Sequence, residues 1–105
     1  MQTLLMDASK MTTTAEIENA FRAAIGAPEW HGHNGDAYVD SMIWEGINSV
    51  EPPYEIRILG LGDTPDAVRR WVAYIAAAVR SGREWRKVNR GEDVQVSVVQ
   101  SEGQN

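Results

Sequence analysis

Apolar residues in this chain recur at two different spacings, which predict where its strands and helices lie. Compact apolar runs predict a short buried strand over residues 2–6 and a second strand over residues 54–59. Helical spacing, with apolar residues three and four apart, predicts three helices. They cover about 14–25, a segment from about Asn34 that Gly46 closes, and about 65–81 with its end at Gly82.

The ends of the first helix carry recognisable capping residues. Thr13 and Glu16 have the spacing of a capping box, in which each side chain accepts from the backbone of the other. Gly26 stands where a left-handed residue ends a helix, and Pro28 prevents the helix from resuming. These signals predict a well-defined helix followed by a turn.

The last quarter of the chain allows two interpretations. Residues 94–99 alternate polar and apolar side chains and predict a strand. Residues 84–88 are either another strand, joined to it by a hairpin turn at 89–92, or an extension of the third helix. The polar tail 101–105 is expected to fray.

The order of the elements predicts the fold class. Strands separated by helices favour parallel pairing with right-handed crossovers. We expect an α/β fold, a small three-layer domain with a short, mainly parallel sheet and helices packed on it. A terminal hairpin would add an antiparallel edge. The 105 residues suffice for one domain, expected over 1–100.

Composition and charge limit the possible partners. The net charge is −5, and residues 1–60 hold nine acids against three bases. Such a surface disfavours direct nucleic-acid binding and favours a basic partner. The chain has no cysteine, which fits a reducing compartment, and no apolar run long enough for a membrane span. We expect a cytoplasmic protein without cofactors that does not bind membranes.

The segment 28–44 combines polar, acidic and aromatic residues in an unusual way. Asp36, Asp40 and Trp44 follow one another at intervals of four, which places two carboxylates and an indole on one helix face. A core-facing stripe would not carry two acids, so this face is expected to meet something cationic. The neighbouring apolar stripe, expected to face the core, comprises Val39, Met42, Ile43 and Ile47.

Two histidines precede this helix and suggest two other functions. His31 and His33 could bind a metal ion, but no third ligand stands at a suitable spacing. Either could act as the base of a small hydrolase with Asp40 orienting it. The sequence offers that enzyme neither a nucleophile in a recognisable context nor a glycine loop of the oxyanion type.

The same segment resembles the barstar family, the intracellular inhibitors of secreted microbial ribonucleases. That family carries a Pro-Glu-aromatic-aromatic-Gly-x-Asn-x-Asp-Ala-x-x-Asp pattern, and a looser similarity extends over most of the chain. Two positions depart from the family: Val39 replaces a common aromatic residue, and Ala77 aligns with a frequent acid. The residues that match the pattern are Pro28, Glu29, Trp30, His31, Gly32, Asn34, Asp36, Ala37 and Asp40.

The resemblance implies how the segment would act. In barstar-like inhibitors the acid matching Asp40 reaches the cationic subsite for the substrate phosphate, and the acid matching Asp36 contacts a nearby base. The aromatic residue matching Trp30 packs against the catalytic histidine of the enzyme. The resulting candidate partner-binding residues are Trp30, His31, Gly32, His33, Asn34, Gly35, Asp36, Val39, Asp40 and Trp44.

We therefore predict a non-enzymatic inhibitor of a ribonuclease, either a toxin or a secreted enzyme. It would serve as an immunity protein or antitoxin, block the active site with the acidic helix and the adjacent loop, and be monomeric when free. The alternatives are an adaptor on the same scaffold that binds another basic protein, and the small hydrolase.

Overall fold

The computed structural model describes residues 1–101. The chain alternates between strands and helices, and the second helix continues directly into a segment with π-helical hydrogen bonding. The elements are β1 (Gln2–Asp7), α1 (Thr14–Ile25), α2 (Gly35–Val39), the π segment (Asp40–Glu45), β2 (Tyr54–Leu59), a 3-10 turn (Leu61–Asp63), α3 (Asp66–Arg90) and β3 (Val96–Gln100).

The three strands form one parallel sheet in the order β1-β2-β3. The central strand β2 pairs with both neighbours, so that Ile56 lies opposite Leu4 on one side and Val98 on the other. This confirms the α/β class and the parallel sheet. β3 follows α3 without a preceding hairpin, so the antiparallel edge does not form.

The two faces of the sheet differ in burial. Along β2 the side chains of Tyr54, Ile56 and Ile58 are buried in the core, whereas Glu55 and Arg57 form an ion pair of 2.7 Å on the opposite face. The buried side chains of all three helices join the one core that contains these β2 residues. The domain thus has two layers, and the prediction of a third layer was wrong.

The first strand also differs from its prediction as a buried strand. Because β1 pairs only with β2, it forms an edge of the sheet. Its Leu5 side chain points to the uncovered face and is 67% exposed, while Met6 on the other face is buried.

The capping signals of α1 are confirmed. The Thr13 hydroxyl accepts from the Glu16 backbone N–H at 3.2 Å, and the Glu16 carboxylate accepts from the Thr13 N–H at 3.1 Å. Hydrogen bonds from Thr12 and Thr13 hold the pKa of Glu16 below its ordinary value. Gly26 ends the helix with φ +67°.

The third helix is longer than predicted. It passes through Gly82 and ends at Arg90, before Gly91 in the left-handed conformation. Residues 84–88 are therefore helical, which decides between the two interpretations. A β-carbon at Gly82 would lie 2.6 Å from Val39 Cγ1, so this glycine permits close helix packing and does not end the helix.

No helix within residues 1–101 combines the length and the apolar character needed to cross a membrane. Residues 102–105 of the expected tail lie outside the described part of the chain. The single-domain boundary at residue 100 remains a prediction.

Candidate partner-binding site

The two predicted acids lie on a helix that starts where the sequence indicated. The Asn34 side-chain oxygen accepts from the Ala37 backbone N–H at 2.9 Å, as expected of an N-cap. α2 and the π segment together form what we call the acidic helix, over residues 35–45. Asp36 lies in its first turn and Asp40 lies where α-helical bonding changes to π-helical bonding.

Both acids face solvent. Asp36 and Asp40 are exposed, and within residues 1–101 neither makes an ion pair or a side-chain hydrogen bond. Other acids behave differently: Glu18 pairs with Arg22, and Asp93 pairs with Arg83 at 2.6 Å. The two carboxylates of the acidic helix are thus accessible to an external cation.

The opposite side of the acidic helix is fixed to the core by an aromatic cluster. Tyr38 is fully buried, and its ring meets those of Phe21 and Trp71 edge to face, with centroids 5.3 and 5.9 Å away. Burial raises the pKa of the Tyr38 hydroxyl. Because this anchor lies between the two acids in sequence, it limits the movement of both.

The expected apolar stripe is confirmed in its centre but not at its end. Met42 and Ile43 are buried, and Val39 is half-buried. Ile47 was expected to face the core but is 37% exposed, because the helix ends at Glu45 before reaching it.

Two contacts that the sequence did not reveal attach the acidic helix to α3. The Gly35 N–H donates to the Tyr74 hydroxyl at 2.8 Å, and a β-carbon at Gly35 would lie 2.9 Å from that oxygen. Gly82 accommodates Val39 in the same manner. In the sequence, only the glycines within the helical patterns signalled these two contacts, because glycine permits close backbone approach.

Trp44 is less exposed than the two acids that its spacing groups with it. It lies in the π segment, whose wider turns rotate later side chains away from their α-helical positions. Its half-buried ring lies 6.0 Å from the Trp85 ring and 4.6 Å from the Arg86 guanidinium carbon. Arg86 also donates to the Ile43 carbonyl. Trp44 therefore joins the acidic helix to the last turns of α3.

The loop before the acidic helix presents one aromatic ring and buries the next. Trp30 is 74% exposed, whereas His31 is only 3% exposed and its ring packs against Tyr38. His31 Nδ1 lies 2.6 Å from the Gly32 carbonyl oxygen, and Nε2 lies 2.7 Å from Ser41 Oγ. Because a carbonyl can only accept, Nδ1 carries a proton and donates.

These contacts change the role expected of His31. Both of its ring nitrogens are engaged inside the protein, and its partners are Gly32 and Ser41, not Asp40. His31 therefore does not form the histidine–aspartate pair that the hydrolase alternative requires. His31 is suited to holding the loop against the acidic helix, and its expected direct contact with a partner is not supported by its burial.

His33 lies on the surface with 68% of its side chain exposed. Its Nδ1 is 2.7 Å from Arg22 Nη1 and 3.2 Å from Glu18 Oε1. Arg22 can only donate, so the shorter contact requires an unprotonated Nδ1. No cluster of three or more histidine, aspartate or glutamate side chains within residues 1–101 could hold a metal ion.

The predicted residues therefore separate by accessibility. The exposed ones lie along the loop and the first turns of the acidic helix, and buried or half-buried residues stand between them. Val39 and Trp44 are half-buried, and His31 and Gly35 are buried. The exposed set comprises Trp30, Gly32, His33, Asn34, Asp36 and Asp40.

Comparison with known families agrees with the resemblance noted in the loop and the acidic helix. The family model described as barstar, the barnase inhibitor, matches residues 1–99 and so covers nearly the whole chain. No curated protein matches the chain significantly. Because the match extends over both the scaffold and the acidic segment, the chain belongs to the barstar family, whose members inhibit ribonucleases and are not enzymes.

Proposed function

We propose that this protein inhibits a basic ribonuclease by placing the loop and the acidic helix over the enzyme's active site. The observation that supports the proposal most directly is that the two acids are exposed and, among the described residues, unpaired. Asp36 and Asp40 are exposed on a helix that is anchored from behind, and no cation within residues 1–101 pairs with them.

Such a pair of carboxylates can replace a substrate phosphate. A ribonuclease cleft carries arginine, lysine and histidine side chains to stabilise the charge that develops on the phosphate. Carboxylates form strong, charge-assisted hydrogen bonds with such groups and offer no bond that the enzyme could cleave. In this proposal Asp40 occupies the phosphate subsite and Asp36 contacts a neighbouring base.

The rigidity of the site supports tight binding. The Tyr38 anchor, the Asn34 cap and the contact between Gly35 and Tyr74 hold the acidic helix before any partner arrives. A surface that is already ordered loses less conformational entropy on binding. The exposed ring of Trp30 adds an apolar contact beside the acids.

The net charge of −5 supports rapid association with a basic enzyme. The protein would act in the cytoplasm as an immunity protein or antitoxin and protect the cell from its own secreted enzyme or from a competitor's toxin. Raising ionic strength should slow association much more than it accelerates dissociation. An association rate that is insensitive to salt would contradict this part of the proposal.

The function is tested by measuring RNA cleavage by barnase and other basic microbial ribonucleases in the presence of the protein. We expect tight inhibition of at least one of them, relieved by excess substrate because inhibitor and RNA compete for one cleft. Asp36→Ala and Asp40→Ala should restore cleavage. Asp63→Ala, which removes an exposed carboxylate from the 3-10 turn and not from the acidic helix, is the matched control and should inhibit like the wild type.

Two outcomes would overturn the proposal. One is that none of the ribonucleases is inhibited. The other is that Asp40→Ala and Asp63→Ala inhibit equally well, because the acidic helix would then not be the inhibitory surface.

A further inference from the structure

The last turns of α3 form a surface that the hydrophobic core does not explain. The buried residues of α3 end at Val79, so residues 80–90 extend past the core. Arg83 and Arg86 fix this extension: Arg83 pairs with Asp93, and Arg86 pairs with Glu92. The helix is therefore held in place by charged contacts on one side.

The other side of the extension exposes apolar groups. Trp85 is 56% exposed and Val88 is 70% exposed. They line a shallow groove of about 590 Å³ together with Arg80, Ser81, Glu84 and Asn89. An apolar strip rimmed by polar groups is typical of a protein-binding surface.

This surface is also basic, in contrast to the rest of the protein. Residues 80–90 contain five basic residues and the single acid Glu84. Arg80, Lys87 and Arg90 are exposed, and none of them makes an ion pair within the described part of the chain. A partner that approaches here meets positive charge beside apolar groups.

The basic surface adjoins the acidic helix. Trp44, which follows Asp40 by four residues, lies 6.0 Å from Trp85 and 5.8 Å from the guanidinium carbon of Arg90. A partner large enough to cover the two acids would therefore come close to the end of α3. A uniformly basic partner would be repelled there, because like charges placed opposite each other are unfavourable.

We propose that the α3 extension is a second contact surface for the same ribonuclease and that it binds an acidic, apolar segment beside the enzyme's cationic cleft. This proposal rests on the proposed function. It explains the unpaired cations and the exposed Trp85 and Val88 together. It also gives the inhibitor a basis for selectivity, since a ribonuclease without that acidic segment would meet unbalanced positive charge.

The test compares two pairs of charge reversals with opposite expected effects. Lys87→Glu/Arg90→Glu changes the α3 extension, and the control Lys10→Glu/Arg70→Glu makes the same change in net charge at exposed positions outside the α3 extension and the acidic helix. Association and dissociation rates are measured with the ribonuclease that the cleavage assay identifies. We expect the first variant to bind at least tenfold more weakly, and the control to associate faster than the wild type, because it makes the protein more acidic without altering the contact.

If both double variants strengthened binding equally, the proposal of a second contact surface would be overturned. Loss of inhibition in Asp40→Ala, measured in parallel, would leave the proposed function standing in that case. If no ribonuclease is bound at all, both proposals fail. Val88→Ser provides a check that leaves charge unchanged: its side chain is mostly exposed, so it should fold normally, as judged by circular dichroism, and bind several-fold more weakly.

Discussion

Replacing Gly82 with alanine tests how closely the acidic helix is held against α3. Gly82 lies within α3, and a β-carbon there would lie 2.6 Å from Val39 Cγ1 and 3.3 Å from Cγ2. Because valine is stiff at χ1 and both of its methyl groups lie near, rotating the side chain does not remove the clash. The two helices must move apart to accept the added methyl group.

Two opposing contributions determine the expected change in stability. Alanine is favoured over glycine inside a helix by about 1 kcal/mol. Overpacking a close contact costs about 1–3 kcal/mol. We expect the second contribution to dominate, so that Gly82→Ala lowers the free energy of unfolding by up to about 2 kcal/mol.

Urea unfolding of a double-mutant cycle separates these contributions. In a Val39→Ala background the clashing methyl groups are gone, so Gly82→Ala should then stabilise the protein by about 1 kcal/mol. Ser81→Ala, at an exposed neighbouring position in α3, is the matched control and should be slightly stabilising in both backgrounds. The prediction is thus a change of sign that depends on Val39.

The reasoning would be refuted if Gly82→Ala stabilised the protein equally in both backgrounds. Helix propensity alone would then account for the result, and the close approach would have no energetic consequence. If the contact does matter, Gly82→Ala should also weaken ribonuclease binding, because Val39 lies between Asp36 and Asp40 on the acidic helix.

Three further substitutions test buried and paired polar groups. His31→Phe should lower the unfolding free energy by about 1 kcal/mol in urea unfolding, because the Ser41 hydroxyl loses its shortest hydrogen bond and keeps only the longer ones to Asn48 Nδ2 and the Tyr38 carbonyl. An unchanged value would contradict the positioning role. The buried Tyr54 hydroxyl has no hydrogen-bond partner among residues 1–101, and burial raises its pKa to about 12. The wild type should therefore lose stability as pH rises from about 10 to about 12. Tyr54→Phe should unfold at a higher urea concentration and lose less stability over that pH range. Equal losses of stability in the two proteins would count against this prediction. Arg83 holds the pKa of Asp93 below its ordinary 3.8, so the stability from this pair is present above pH 3.8 and disappears as pH falls through the lowered pKa. Asp93→Asn should therefore reduce the loss of stability at acidic pH in unfolding experiments. An unchanged acidic loss would refute this link between the pair and stability.

Local signals in the sequence predicted much of the fold. The capping box at Thr13, the cap at Asn34 and the left-handed Gly26 depend on neighbouring residues alone, and the structure confirms all three. The parallel sheet followed from the alternation of strands and helices. By contrast, the number of layers depends on which side of the sheet the crossovers pass, and strand order along the chain does not determine that.

The errors arose where distant residues decide the local structure. Gly82 has the appearance of a helix end, but its neighbour is Val39, 43 residues earlier in the chain. The identity of that neighbour cannot be read from a helical pattern. Similarly, the role of Tyr74 depends on its hydroxyl lying beside the Gly35 N–H, which is 39 residues away in the chain.

The predictions for the candidate site divide in the same way between features set by neighbouring residues and features set by distant ones. The spacing of Asp36 and Asp40 predicted that they share one exposed face, because the two residues are separated by one helical turn. It did not predict that Trp44 is half-buried, because no residue near Asp40 signals the change to π-helical bonding. It also did not distinguish exposed Trp30 from buried His31, because their burial depends on Tyr38 and Ser41.

The most direct test of the account is the dissociation constant of Asp40→Ala with an inhibited ribonuclease, measured beside that of Asp63→Ala. Both variants remove one exposed carboxylate, so they change long-range attraction to a basic enzyme to a similar degree. We predict that Asp40→Ala weakens binding by about 30-fold or more, which corresponds to about 2 kcal/mol, and that Asp63→Ala changes it little. Equal dissociation constants for the two variants would contradict the claim that the acidic helix occupies the enzyme's cleft.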